Sequence, residues 1–161
     1  MKILQIKTIK TLFFVGSCAA LLIFTNCGGG DDPAEPGEST LTAAETNALL
    51  LAKDWSLSSA TNAGTIRDEW IGFTLKFGLD SDLASGTYTA SGIPSDEGAN
   101  LAWPTSGTFT ANSDLTTLTR NDGIVMTLVV SETALNVSFT VPESSGRVDG
   151  FTGAWVFKMV P

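Results

Sequence analysis

Histidine is absent from all 161 residues, and cysteine occurs only at Cys18 and Cys27. Without histidine the chain lacks the commonest metal ligand, the usual general base and the Ser–His and Cys–His nucleophile pairs. With two cysteines so spaced there is no C-x-x-C redox or zinc site. Basic residues are scarce, nine against seventeen acidic ones, for a net charge of −8. No basic cluster offsets that balance, so nucleic acid and anionic headgroups are disfavoured as partners because their phosphates are repelled. Serine and threonine are plentiful, but no Gly-x-Ser-x-Gly elbow or Ser-x-x-Lys element accompanies them. The chain is therefore read as non-catalytic, with no catalytic residue, metal site or cofactor assigned.

What is present begins with an address. Residues 1–10 carry Lys2, Lys7 and Lys10 and no acid, and residues 11–25 form an apolar run. A charged start followed by such a run has the form of a secretory signal peptide. At about 15 residues it is short for a spanning helix, which wants about 20. The run breaks at Asn26-Cys27-Gly28-Gly29-Gly30-Asp31-Asp32. This segment resembles the lipobox of bacterial lipoproteins, in which a cysteine closes the apolar region and receives the lipid. It departs from that pattern in Asn26 and Phe24, where small residues are usual. Val15-Gly16-Ser17-Cys18 is the better lipobox by local sequence, yet it would leave Ala19–Phe24 on the mature chain. The resemblance implies residues 1–26 as signal peptide, lipidation of Cys27, and attachment to a membrane of the cell envelope, the outer membrane with surface exposure as one destination. Several acyl chains on one cysteine make such anchoring stable. The mature chain would hold six basic and seventeen acidic residues, a charge of −11, and with one cysteine it could form no internal disulfide.

Residues 27–40 read as a flexible acidic tether, rich in glycine and proline and almost free of apolar residues. Asp31, Asp32, Glu35 and Glu38 resemble the surface-export signals of some Gram-negative lipoproteins; a solvated linker is the other reading. Residues 41–161 read as one domain. Thr42 and Glu45 stand at capping-box spacing and predict a short helix near 43–53. From Trp55 onward the apolar period is two, as in Ile71, Phe73, Leu75 and Phe77, in Leu135, Val137, Phe139 and Val141, and in Trp155, Phe157 and Met159. Such alternation predicts strands with one face in a core and one in water. Eight strands are expected, at about 54–60, 70–77, 85–91, 106–111, 115–120, 124–130, 134–141 and 153–159, with nothing helical between them. Ile124–Val130 is apolar on both faces and is expected to be covered on both sides. Asn121-Asp122-Gly123 is a hairpin signal, because Asp-Gly accepts positive φ angles. Gly86-Thr87-Tyr88-Thr89-Ala90 echoes Gly107-Thr108-Phe109-Thr110-Ala111, an echo read as two strands built from the same β-formers.

The stretch from Leu50 to Pro161 resembles the lipocalin-like domains of bacterial surface lipoproteins. The residues that carry the likeness are Leu51-Ala52-Lys53-Asp54-Trp55, Phe73–Phe77, Gly86–Thr89, Trp103–Phe109, Arg120–Gly123 and Gly153–Phe157. Lys53 stands where lipocalins carry a glycine before the first-strand tryptophan, and the helix that follows the barrel is absent. The likeness implies an all-β, antiparallel up-and-down barrel of about eight strands with a short N-terminal helix; a β-sandwich is the alternative, in which the first and last strands need not pair. A barrel of eight strands either holds one small ligand or is filled by its own side chains.

Two functional readings follow. In one, a lipid-anchored module binds a small apolar or amphipathic ligand within its barrel. In the other, a solid barrel contacts a glycan or an envelope protein through its loops. The inward set is expected to include Ile71, Phe73, Phe77, Leu135, Phe139, Trp155 and Phe157, with Trp55 in the core. The candidate ligand-binding residues are Trp70, Phe73, Trp103, Arg120, Phe139 and Trp155. Trp103 sits in a loop, where it either stacks on a sugar or is folded over the barrel end. Arg120 and Arg147 lie by a hairpin and in a loop, within reach of an anionic ligand. The pairs Asp68–Glu69, Asp80–Asp82 and Asp96–Glu97 are suited to turns as much as to glycosidase or calcium chemistry.

Overall fold

The structure, a computed structural model, describes residues 40–143 and 150–161. The signal-like segment, Cys18, Cys27, the tether up to residue 39 and Arg147 lie outside the described residues.

The capping box forms as its spacing predicts and starts helix α1, Ala43–Leu51. The Glu45 N–H donates to Thr42 Oγ1 at 3.2 Å, and the Thr42 N–H donates to Glu45 Oε2 at 2.8 Å. Together they satisfy two donors that a helix start otherwise leaves unpaired. The strands follow as β1 Asp54–Asn62, β2 Thr65–Ile66, β3 Thr74–Leu79, β4 Ser85–Ser91, β5 Ser106–Ala111, β6 Thr117–Arg120, β7 Val125–Val130, β8 Leu135–Val141 and β9 Gly153–Val160. From β3 to β9 each strand pairs antiparallel with the next, and β1 pairs with both β3 and β9. The fold is thus a closed eight-stranded antiparallel barrel with β2 as an extra strand on β1. The β1–β9 pairing excludes the sandwich.

Closure is uneven. β1 and β3 pair only over Asp54–Ser56 and Thr74–Lys76. Beyond that point β2 takes β3's place beside Thr61 and Asn62, and a 3-10 turn at Asp68–Trp70 packs against β1. A bulge between Leu57 and Ser59 shifts the β1–β9 register. An extra residue in a strand reverses which face its later side chains take. Trp55 therefore points inward before the bulge, and Ala60 and Asn62 point inward after it.

Three sequence expectations are corrected. The predicted strand at 70–77 begins at Thr74, because Gly72 has φ +92° and turns the chain. Ile71 consequently leaves the inward set and is 79% exposed. β7 is covered on one side only: Met126 and Leu128 are buried, while Val125 and Val129 face out. The connections are not free of helix, since the Asp68–Trp70 turn and α2, Ala99–Ala102, lie in them. The hairpin expected at Asn121-Asp122-Gly123 forms between β6 and β7, where the Gly123 N–H donates to the Arg120 carbonyl at 2.9 Å. Gly123 takes the positive φ, +87°, and Asp122 does not.

The sequence echo has a structural meaning. The two segments are adjacent strands, β4 and β5, in a register that pairs Gly86 with Phe109 and Tyr88 with Gly107. Each aromatic ring lies over the glycine opposite. A Cβ on Gly86 would come within 2.6 Å of Phe109 Cζ and 2.3 Å of the Gly78 carbonyl oxygen, and one on Gly107 within 2.6 Å of the Tyr88 hydroxyl. Gly86→Ala is therefore expected to lower stability by about 1–3 kcal/mol, the usual cost of overpacking. Gly64, which has nothing near its missing Cβ, should cost about 1 kcal/mol for its positive φ alone when changed to alanine. Urea unfolding of the two variants checks the order.

Candidate functional site

At one end of the barrel lie α1 and the β3–β4, β5–β6 and β7–β8 turns. At the other lie the β1–β3 connection, α2, and the β6–β7 and β8–β9 loops. All six candidate residues gather in the interior toward this second, loop-bearing end. Trp70, delivered by the 3-10 turn, has its ring centroid 5.4 Å from Phe73 and 5.5 Å from Trp155. Trp103, delivered by α2, lies 5.6 Å from Phe73 and 5.3 Å from Phe139. The Arg120 guanidinium lies 5.6 Å from the Trp103 ring and 5.7 Å from the Phe139 ring. Phe157 sits at the middle and meets Trp70, Phe73, Trp103, Phe139 and Trp155. Most of these pairs are edge-to-face or tilted, the arrangement that aromatic quadrupoles favour.

Neither Trp70 nor Trp103 is an exposed platform, for both are fully buried. The Trp103 loop takes the folded-over alternative: α2 turns the chain inward and the indole stops the barrel end. Asp80, Asp82 and Glu69 have local duties. Asp80 Oδ2 accepts from Ser85 Oγ at 2.8 Å, Asp82 Oδ1 accepts from the Ala84 N–H at 2.9 Å, and Glu69 pairs with Arg67. Among the described residues no cluster of three or more Cys, Asp or Glu is placed to hold a metal.

Arg120 is the charged residue inside this cluster. Its side chain is fully buried, so its donors need partners. Nη1 donates to the Ala102 carbonyl at 2.7 Å, Nε donates to Asp122 Oδ1 at 3.1 Å, and Nη2 donates to Asp122 Oδ2. One guanidinium thus ties α2 to the β6–β7 loop. Partial burial by itself raises the Asp122 carboxyl, but hydrogen bonds from Arg120 and the Ile124 N–H, with the Arg120 charge, outweigh it and hold the carboxyl below its ordinary value. Burial pushes the Tyr88 phenol up, with Arg120 opposing and Asp122 adding to the rise.

The tryptophans differ in how their N–H groups are met. Trp155 Nε1 donates to the Phe151 carbonyl at 2.9 Å and Trp55 Nε1 to the Leu51 carbonyl at 3.4 Å. Trp70 Nε1, Trp103 Nε1 and the Tyr88 hydroxyl are buried without a protein partner. A depression of about 630 Å³ runs along β7, β8 and β9 over Thr127, Ser138, Thr140 and Ala154.

Four participants were not singled out as site residues from sequence: Phe157 was expected only in the inward set, and Asp122 only in the hairpin signal. Tyr88 was visible only as part of the β4–β5 echo. Arg67 gave no signal, yet its guanidinium lies 5.0 Å from the Phe151 ring and 5.1 Å from the Trp155 ring and donates to the Gly150 carbonyl.

The Asp122 shift carries a pH dependence. Its folded carboxyl titrates below the unfolded value of about 3.9, so the pair's contribution is complete above that pH and is lost as pH falls through the folded value. Asp122→Asn is expected to cost about 2 kcal/mol at neutral pH, by leaving a buried charge short of its acceptor. The gap to the unsubstituted protein should narrow as pH drops below 4. Urea unfolding at pH 7 and pH 3 measures both. Comparison with protein-family models, with curated proteins and with solved structures finds no match.

Proposed function

We propose that the chain is a non-catalytic envelope lipoprotein, anchored through lipid on Cys27, with a solid lipocalin-like barrel that engages a glycan or an envelope protein at its loop-bearing end. The observation that carries this reading is the aromatic packing of the interior, where Trp70 and Trp103 fill space that a carrier would leave for its ligand. Apolar surface is instead turned outward at that end: Ile66 and Ile71 flank the 3-10 turn and are 67% and 79% exposed, and Leu101 projects from α2. The charged start, apolar run and Cys27 of the sequence support the anchor.

One observation favours the carrier reading as the second. Two indole N–H groups and a phenol buried without partners are polar groups that a bound small molecule would satisfy.

Cys27→Ala is expected to abolish incorporation of an alkyne-tagged fatty acid in growing cells, whereas Cys18→Ala leaves it intact; the reverse result would move the cleavage site. For the barrel, native mass spectrometry of residues 38–161 after exposure to an envelope lipid extract should give the bare domain mass. A retained small molecule that Phe73→Ala or Trp155→Ala releases would turn the assignment to the carrier.

A further inference from the structure

The end of the barrel opposite the aromatic plug carries its own apolar surface. Leu49 on α1 and Leu41 just before its N-cap are 64% and 57% exposed, although Leu51 of the helix is fully buried. A helix whose only task is to cover a barrel end would turn polar residues outward. Here the outward leucines and Ala48 border a groove of about 450 Å³ against Phe77, Leu79 and Leu83. Glu45 is the one charged residue lining it, and its carboxylate is taken by Thr42 in the capping box.

We infer that this groove, with the exposed Leu41 and Leu49, rests on the lipid leaflet that holds the Cys27 acyl chains. The inference depends on the lipoprotein reading above. Leu41 is itself a wall of the groove, and thirteen residues separate it from Cys27. Fully extended, that length spans at most about 50 Å. The lipidated cysteine is therefore never farther than that from the groove. A short tether makes the second contact intramolecular, at an effective concentration on the order of millimolar. A few leucine side chains, too weak a membrane anchor alone, suffice under that condition. The intervening residues 28–40 include only Ala34 as an apolar side chain, which makes them a poor filling for an apolar groove.

Charge decides the kind of leaflet. Lys53, Lys76 and Lys158 lie in this half of the barrel, but Asp80, Asp82, Asp114 and Glu132 share it. Lys76 is paired with Asp54, and Lys53 donates to the Glu132 carbonyl. The surface is thus suited to zwitterionic headgroups and is repelled by anionic ones.

Since Cys27 is consumed by lipid, the mature chain has no other thiol, and Leu49→Cys introduces a single labelling position on an exposed side chain. The test uses the full-length lipidated protein in vesicles of phosphatidylcholine and phosphatidylethanolamine, with an environment-sensitive fluorophore at position 49 or, at the opposite end, through Ile71→Cys. The label at position 49 should shift to the blue and be quenched by spin-labelled lipid, and the label at position 71 should do neither. Adding phosphatidylglycerol should weaken the quenching. Flotation with the vesicles is read first: a protein that does not float overturns the anchor, and the inference with it. A floating protein whose position-49 label stays unquenched overturns the inference alone. A blue shift without lipid quenching that grows with protein density on the vesicle means a second copy occupies the groove, and overturns it too.

Discussion

Pairing of β1 with β9 closes the sheet on itself and sets the width of its bore. With eight strands that bore is wide enough for inward side chains and little more. Every inward residue is then a neighbour across the axis, which is why Phe157 on β9 touches rings from the 3-10 turn, the β3 approach, the α2 loop and β8. Closure also explains the β1 bulge. β1 must serve two partners, and the extra residue lets it turn from β3 toward the β2 hairpin while it stays paired with β9 across a one-residue shift of register.

The two ends are stopped by different physical means. At the α1 end, Leu51 and Leu115 are buried, and the helix is held by ordinary hydrogen bonds, Asn47 Nδ2 to the Asp114 carbonyl and Lys53 Nζ to the Glu132 carbonyl. At the loop end two arginines bind segments together through ring faces and carbonyls. Arg120 joins α2 to the β6–β7 loop, and Arg67 joins the β1–β3 connection to Gly150, Phe151 and Trp155. A guanidinium suits that task, because it stacks on rings with its faces and donates from its edge. An end held by polar and stacking contacts leaves its outer residues free to be apolar, as Ile66 and Ile71 are.

The class and most of the strands were legible in the sequence, because a half-buried strand must alternate and β4, β5, β8 and β9 do so. The capping box and Gly123 were legible for the same reason: each is a local demand on the backbone, met by residues within four positions. The six candidate residues were legible as aromatic and cationic inward positions. Only the fold in three dimensions brings them together, since Trp70 and Trp103 reach the interior from connections whose path no periodicity records. It also decided the side of Ile71 and the place of Arg67. A left-handed glycine at position 72 outweighs the alternation around it, and the rings that receive Arg67 come from the other end of the chain. The echo in β4 and β5 could be read from sequence as likeness, but only the register, by setting each aromatic over the opposite glycine, gave it a physical cause.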